Sequence, residues 1–261
     1  LRHDGSGKNA FKNPLSFRYL DDNFIESDAV KIGKTFMDYL KKTKDPRIHV
    51  YCSLKDGNTE FDKQFGLPNG YDSHTIADAP SGSFVGLENT SNFNINTILR
   101  LDAPTIFLMP SETKLLLAEA VLRNWTNGNA EVLYKEAITS SMKEQEIAYG
   151  TQGKITDEEI ETYLAQNLFS TANNTEKLQI IGEQYWVATF INGYESYANW
   201  RRTGYPKLIP TNYSGSMSPG VIPTRLPYPT DEYSINRANV DTANQQQGAD
   251  KVTTHIWWDI D

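Results

Sequence analysis

The stretch QYWVATFINGYESYANWRRTGYPKL, from Gln184 to Leu208, constrains the fold of this chain more than any other. Tyr185, Trp186, Phe190, Tyr194 and Tyr197 fall within one run of helix-compatible sequence. Trp200, Arg201 and Arg202 close it, and Gly204-Tyr205-Pro206 stops it. A helix with so much aromatic surface stays in solution only when other elements cover it. The pattern predicts one long helix, from roughly Thr175 to Trp200, capped by Asn173 or Asn174, at the structural centre of the chain. Tyr185, Trp186, Phe190 and Tyr197 are read as core rather than as a ligand platform.

Further helices should surround it. Pro110-Ser111-Glu112 opens one, with Ser111 as N-cap and Glu112 at the positive end of the helix dipole. Leu115, Ala118 and Leu122 form its inner stripe, widened by Leu116 and Val121, and it runs to about Trp125. Asn127-Gly128-Asn129 makes a short turn. A second helix follows to about Ala148, with Val132, Leu133, Ala137, Ile138 and Met142 inward. So short a connection makes the two antiparallel neighbours, and Ala118 and Ala137 let them approach closely. Thr156 and Glu159 form a capping-box pattern before a short helix ending near Gln166. The succession suggests tetratricopeptide-like pairs, although no clean repeat period is visible.

The segments before Pro110 are less regular. Residues 1–24 read as irregular polar chain. A helix is expected from Asp28 to Lys41, capped by Ser27, with Val30, Ile32, Phe36, Met37 and Leu40 at helical spacing. Asp45-Pro46 breaks it, and Arg47 to Leu54 reads as a strand with Ile48, Val50 and Cys52 on one face. Residues 55–100 carry little periodicity and are punctuated by Gly57, Gly66, Pro68-Asn69-Gly70, Pro80 and Gly82. A loop of that length inside a compact chain is functional or holds short strands. Tyr71, Phe84 and Phe93 are lone aromatics in this Gly- and Asn-rich setting. They are candidates for a sugar-stacking surface, since an aromatic face matches the apolar face of a pyranose and side chains such as Asn69 bond hydroxyls. The competing reading of each ring is local packing.

Beyond Pro206, the prolines Pro210, Pro219, Pro223, Pro227 and Pro229 exclude a long helix. IPTRLPYPTDEYSIN reads as extended chain, with Asp231 and Glu232 capping a short turn from Tyr233 to Asn236. Asp241 to Lys251 reads as a surface segment, with a short helix as the alternative. Trp257 and Trp258 imply that the C-terminus docks back onto the body. Arg201 and Arg202 lie at a helix C-terminus, where cations are favourable. They are read as clamping the Pro-rich tail through carboxylates such as Asp231 or Glu232. The other reading has one arginine grip an anionic ligand.

Several function classes find no support. The net charge of -8 argues against nucleic-acid binding. Cys52 is the sole cysteine, so neither an intrachain disulfide nor a thiolate metal site can form, and it reads as a buried thiol. His3, His49, His74 and His255 lack metal-ligand spacing, and no Gly-rich phosphate loop or GxSxG elbow occurs. Glu183 and Glu195, twelve residues apart on the one long helix, stand about 18 Å apart by helical rise. That exceeds the roughly 5–9.5 Å of a glycosidase pair. No catalytic residue, metal or cofactor is expected. No apolar run is long enough to span a membrane and no signal peptide is present. Without an initiator Met the chain reads as a mature product or a fragment.

Several blocks resemble, in order, the SusD/RagB family of nutrient-binding outer-membrane lipoproteins of Bacteroidetes. They are DPR at Asp45–Arg47, PSETKLLLAEAVLRNW from Pro110, QYWVATFINGYESYANWRRTGYPKL, IPTRLPYPTDEYSIN and the terminal IWWD. The second block departs from the family in having Asn124-Trp125 where a glycine is usual. The resemblance implies a mainly α fold: a tetratricopeptide-like helical scaffold with long irregular loops and short β segments. It divides into a loop-rich part at 1–109, helices at 110–200 and a Pro-rich tail at 201–261 packing back on them. Glu119, Glu195, Trp200, Arg201, Arg202, Gly204, Pro206, Arg225, Glu232 and Asn236 become scaffold signature residues. The implied function is binding of starch-like or other glycans, without catalysis, at the cell surface as partner of a SusC-like TonB-dependent transporter. Family members are about twice as long and begin with a signal peptide and a lipidated cysteine. The chain therefore reads as a C-terminal portion, with the lipid anchor outside it and not at Cys52. The alternatives are a peptide-binding member, a protein-interaction scaffold, or a glycoside hydrolase.

Overall fold

A computed structural model describes residues 1–5, 11–21, 30–72, 74–169, 171–213 and 215–259, without the side chains of residues 20 and 21. The protein is mainly helical. In chain order it carries α1 (Pro14–Asp21), α2 (Lys34–Thr43), α3 (Ile48–Tyr51), β1 (Cys52–Ser53), β2 (Asn92–Phe93), α4 (Pro110–Leu122), α5 (Ala130–Tyr149), α6 (Asp157–Gln166), α7 (Asn174–Ala188), α8 (Gly193–Thr203), α9 (Thr230–Ile235) and α10 (Arg237–Gln247). It divides into two compact units, Leu1–Ser196 and Tyr197–Asp261. Among the described residues, no helix is long and apolar enough to cross a membrane.

In the first unit, α4 packs on α5 and α7. Leu115 and Ala118 of α4 meet a core that includes Tyr134, Ala137, Ile138 and Met142 of α5, all buried. The antiparallel pair follows from its turn: Asn129 Oδ1 accepts the amides of Glu131 and Val132, opening α5 as soon as α4 has ended. Asn124, in the Asn124-Trp125 pair where the resemblance implies a glycine, holds a left-handed φ of 59°. Asparagine is one of the few residues that tolerates this conformation. The expected capping box at α6 is present, with Thr156 and Glu159 bonded reciprocally. Asn173 caps α7 in the same way with Glu176. Ser111 is not the cap of α4. Met109 occupies that position, its amide bonded to Glu112 Oε1, while the Ser111 amide and hydroxyl both donate to the buried Glu144 carboxylate.

The single long aromatic helix is in fact two. Thr189 turns its hydroxyl back onto the Tyr185 carbonyl at 2.7 Å, an alternative to continued helix. Asn192 then starts α8, its carbonyl accepting from the Ser196 amide. The break frees Phe190 from any helical face. Its ring stacks on Phe36 at 4.5 Å and on Tyr51 at 4.8 Å. Trp186 meets Phe36 edge-on at 4.9 Å, so these two aromatics join α7 to α2 and α3. Tyr185 is buried as expected, but Tyr197 lies at the surface and Tyr194 is 91% exposed.

The expected strand at Arg47–Leu54 is mostly a helical turn. Asp45 Oδ1 accepts the Arg47 amide at 3.0 Å and starts α3. Only Cys52–Ser53 is extended, pairing antiparallel with Asn92–Phe93. Asp45 directs its carboxylate at its own neighbour: Arg47 Nε and Nη2 reach it at 2.9 and 2.5 Å. Arg47 also donates to Ser141 Oγ of α5 at 2.9 Å and to Gln184 Oε1 of α7 at 2.7 Å, and Gln184 in turn donates to Tyr163 and Tyr39 through its amide nitrogen. This buried guanidinium is the polar hub of the first unit. Burial works against its charge, but the adjacent Asp45 carboxylate overrides that and holds Arg47 above its ordinary pKa.

The helix expected from Asp28 begins only at Lys34. Ile32 and Gly33 are instead extended, bridged to Leu67 by the Leu67 amide on Ile32 O and the Lys34 amide on Leu67 O. Ser27 and Asp28 lie outside the described residues. Cys52 is buried and free, and burial pushes its thiol well up.

In the second unit, Arg201 does hold the tail, though not through Asp231 or Glu232. Its Nη1 donates to the Thr224 carbonyl at 2.9 Å and its guanidinium lies 4.8 Å from the Trp258 ring centre. Arg202 Nη2 donates to Asn199, one turn back along α8. The carboxylate clamp belongs to Asp250. It accepts from Arg225 at 2.8 Å, from the Tyr228 amide at 3.0 Å and from the Tyr233 hydroxyl at 2.7 Å. Glu232 accepts from Asn236 across one turn of α9. The short helix considered for the segment from Asp241 is present as α10, which begins earlier, at Arg237, and ends at Gln247. Trp258 is packed on Arg201, whereas Trp257 is 82% exposed.

Candidate functional site

The irregular stretch after β1 is organised around one clip. Ser91 Oγ donates to Gln64 Oε1 at 2.8 Å and accepts the Phe65 amide at 3.1 Å, while the Ser91 amide bonds Phe65 O. Gln64 is fully buried and its amide nitrogen bonds the carbonyls of Asn58 and Glu60. Residues 66–90 therefore leave and re-enter the body at a single point. Gly66 is required at the exit, because a Cβ there would collide with the Lys34 backbone where the chain crosses the start of α2. Such a loop is positioned by its base while its tip stays open to solvent, the usual setting for recognition residues.

Inside the loop, local hydrogen bonds take the place of regular structure. Asp72 Oδ1 accepts the His74 and Thr75 amides, and Thr75 Oγ1 accepts the Asp72 amide. Thr90, buried at the return, donates to Gly86 O at 2.8 Å. Of the residues singled out from the sequence, Asn69 and Tyr71 lie on the outgoing limb and Phe84 on the returning one. Asn69 is exposed, its amide lying against Gly33, and Tyr71 and Phe84 are half-buried. Phe93 is placed differently. It lies past the clip, in β2, with Tyr19 at 5.3 Å and Phe190 at 5.4 Å, both edge-on, so it forms part of the core rim.

Two features escaped the sequence reading. One is a groove of about 410 Å³ between the start of α1, residues 104–107 and the α7–α8 turn, flanked by the exposed rings of Phe107 and Tyr194. Only the break after Ala188 brings Tyr194 there. The other is a carboxylate cluster. Glu112 is 2% exposed and its Oε2 meets the geometry of no hydrogen bond among the described residues. Burial raises its pKa above the ordinary value, and the nearby Glu195 and Glu144 raise it further, against the Met109 amide and the Tyr185 hydroxyl that lower it. Glu144 is satisfied by Ser111 and Ser140, and Glu195 accepts from Tyr185 at 3.3 Å. Glu183 and Glu195 are on separate helices, so the separation by helical rise does not apply to them. Among the described residues no group of three or more His, Cys, Asp or Glu is placed to hold a metal ion.

A family described as starch-binding, associating with the outer membrane, matches residues 4–229 through its SusD-like profile. No curated protein matches the chain. Among solved structures, a chitin-binding protein is similar at 29% identity with a TM-score of 0.77, over 97% of this chain and 54% of its own. A SusD homolog from Bacteroides fragilis is 26% identical with a TM-score of 0.71, over 88% of this chain and 52% of that one. A chitin-binding SusD homolog from Flavobacterium johnsoniae shares the fold at 24% identity and a TM-score of 0.72, over 98% of this chain and 53% of its own. The chain thus spans about half the length of the solved structures it matches.

Proposed function

Because the chain belongs to the SusD-like family, whose profile covers residues 4–229, we propose that it binds a glycan without transforming it and delivers it to a SusC-like TonB-dependent transporter. The family is associated with the outer membrane. In this reading the protein works at the cell surface, tethered by a lipid-modified cysteine outside the sequence. The observation that carries the glycan assignment is the clipped loop 66–90, fixed at Gln64 and Ser91 and furnished with Tyr71, Phe84 and the exposed Asn69. A ring face takes the C–H face of a pyranose, and an amide pairs with vicinal hydroxyls as both donor and acceptor. Phe93, packed on Tyr19 and Phe190 at the core rim, is left out of this platform. A similar structure is that of a chitin-binding protein, so N-acetylglucosamine oligomers are the first ligands to try, with maltooligosaccharides beside them.

Calorimetry with chitohexaose and maltohexaose tests the reading. Saturable binding is expected without release of shorter sugars. Combined Tyr71→Ala and Phe84→Ala substitution should weaken it about tenfold or more, since each stacked ring contributes on the order of 1 kcal/mol. Unchanged affinity in that variant removes the loop as the platform, and product release by the purified chain would replace binding with hydrolysis.

A further inference from the structure

A second cleft, of about 450 Å³, opens between the end of α2 and α6. That size falls within the range of small-ligand sites. Its floor is apolar, made of Pro46, Phe61 and the buried Tyr163 ring. Lys41 Nζ lies 5.9 Å from the Phe61 ring centre and 4.3 Å from that of Phe65, bracing both rings. One wall is a single face of α6, where Glu158, Thr162 and Gln166 recur at the four-residue spacing that stacks side chains in a row. Lys44 faces the cleft from the end of α2, where the backbone turns left-handed with φ 52°.

The polar groups of this cleft are uncommitted. Lys44, Glu158, Thr162 and Gln166 make no side-chain hydrogen bond or ion pair with any described residue. Neighbouring Glu159 differs, since its carboxylate is held by the amide and hydroxyl of Thr156. The carboxylates of Glu158 and Glu159 against the one ammonium of Lys44 leave the rim slightly negative, which disfavours an anionic ligand. An ammonium donor, a carboxylate acceptor, and a hydroxyl and amide that serve as both suit a ligand dense in hydroxyls. The flat floor suits a ligand with one apolar ring face.

We infer that this cleft is a saccharide subsite separate from loop 66–90, taking neutral pyranose units with the ring face on Phe61 and Pro46 and hydroxyls on Glu158, Thr162 and Gln166. The inference rests on the glycan-binding reading and extends it. The two sites are connected through the chain: the 3-10 turn Phe61–Lys63 leads directly into Gln64, the base of the loop clip. A long oligosaccharide gains from a second subsite because the second contact is made within one complex.

Backbone amide NMR on the deuterated chain, titrated with chitohexaose and maltohexaose, decides the matter. Saturable shifts are expected at Lys44 and along 157–166 as well as in 66–90. Glu158→Ala with Gln166→Ala should weaken the α6 response about tenfold and leave the loop response in place. Both positions are exposed, so the fold should survive, and an unchanged amide spectrum elsewhere checks it. Saturable shifts confined to 66–90, or an α6 response that the double substitution leaves unchanged, would overturn the second subsite while glycan binding stands. No saturable shift anywhere in the chain would overturn both.

Discussion

Replacing Asp45 with alanine should damage this protein more than any surface change. The Arg47 guanidinium is fully buried and uses its donors on Asp45 twice, on Ser141 and on Gln184. Asp45→Ala removes both charge-assisted bonds and the cap on the Arg47 amide. It also leaves a positive charge in the interior with only neutral partners. Breaking one side of such a pair costs about 3–5 kcal/mol. A domain of ordinary stability has roughly 5–15 kcal/mol in all, so the loss is a large fraction. In urea, followed by helical circular dichroism, the midpoint should fall by roughly 1–2 M. Adding Arg47→Met should restore about half of the loss or more, because the uncompensated charge goes with it. A midpoint within the error of the parent would refute the argument. So would a double variant whose loss equals the sum of the two singles, since that would mean the pair acts as two independent contacts.

Other perturbations read other parts of the structure. Glu112→Gln should stabilise the protein at pH 7, because burial and two neighbouring carboxylates raise the Glu112 pKa in the folded state. The sign follows from linkage: a raised acid favours folding below its unfolded pKa and loses that contribution as pH rises through the folded value. The gap between variant and parent in thermal melts should therefore close as pH falls below the ordinary value of 4.5, and a constant gap would show that the titration of Glu112 is not responsible. Gln64→Ala should release the loop clip, costing about 1–3 kcal/mol in unsatisfied buried groups. Limited proteolysis should then cut faster within 66–90 and nowhere else. Asp250→Ala strips Arg225, the Tyr228 amide and Tyr233 of their shared acceptor. About 2–4 kcal/mol should be lost, seen as faster hydrogen exchange in α9 and α10 with the first unit's exchange unchanged.

Where local chemistry suffices to decide an element, the sequence already shows it. The α4–α5 pair, the capping box of α6 and the Asn173 cap of α7 rest on spacing and end residues within a few positions of one another. Asn124 could be singled out because the resemblance calls for glycine there, and its φ of 59° supplies the reason. The loop 55–100 could be marked as unusual, but its clip could not be seen. Gln64 and Ser91 are ordinary polar residues until the fold buries them side by side.

The failures share a cause. The run from Gln184 to Trp200 reads as helix throughout, and its two halves differ in what surrounds them. A ring at Phe190 gains more from stacking between Phe36 and Tyr51 than from continuing the helix, and Thr189 and Asn192 satisfy the backbone at the break. Asp45-Pro46-Arg47 likewise reads as a helix stop and a strand start, until Ser141 and Gln184 arrive to complete a buried ion pair. What the sequence determined by itself was the family and the helical scaffold, because periodicity, caps and ordered motifs are local and survive in one dimension. The tertiary structure alone decided which aromatic rings are core and which are free, where the loop is pinned, and which polar side chains face a cleft unpartnered. Those are properties of long-range burial, which no local pattern encodes.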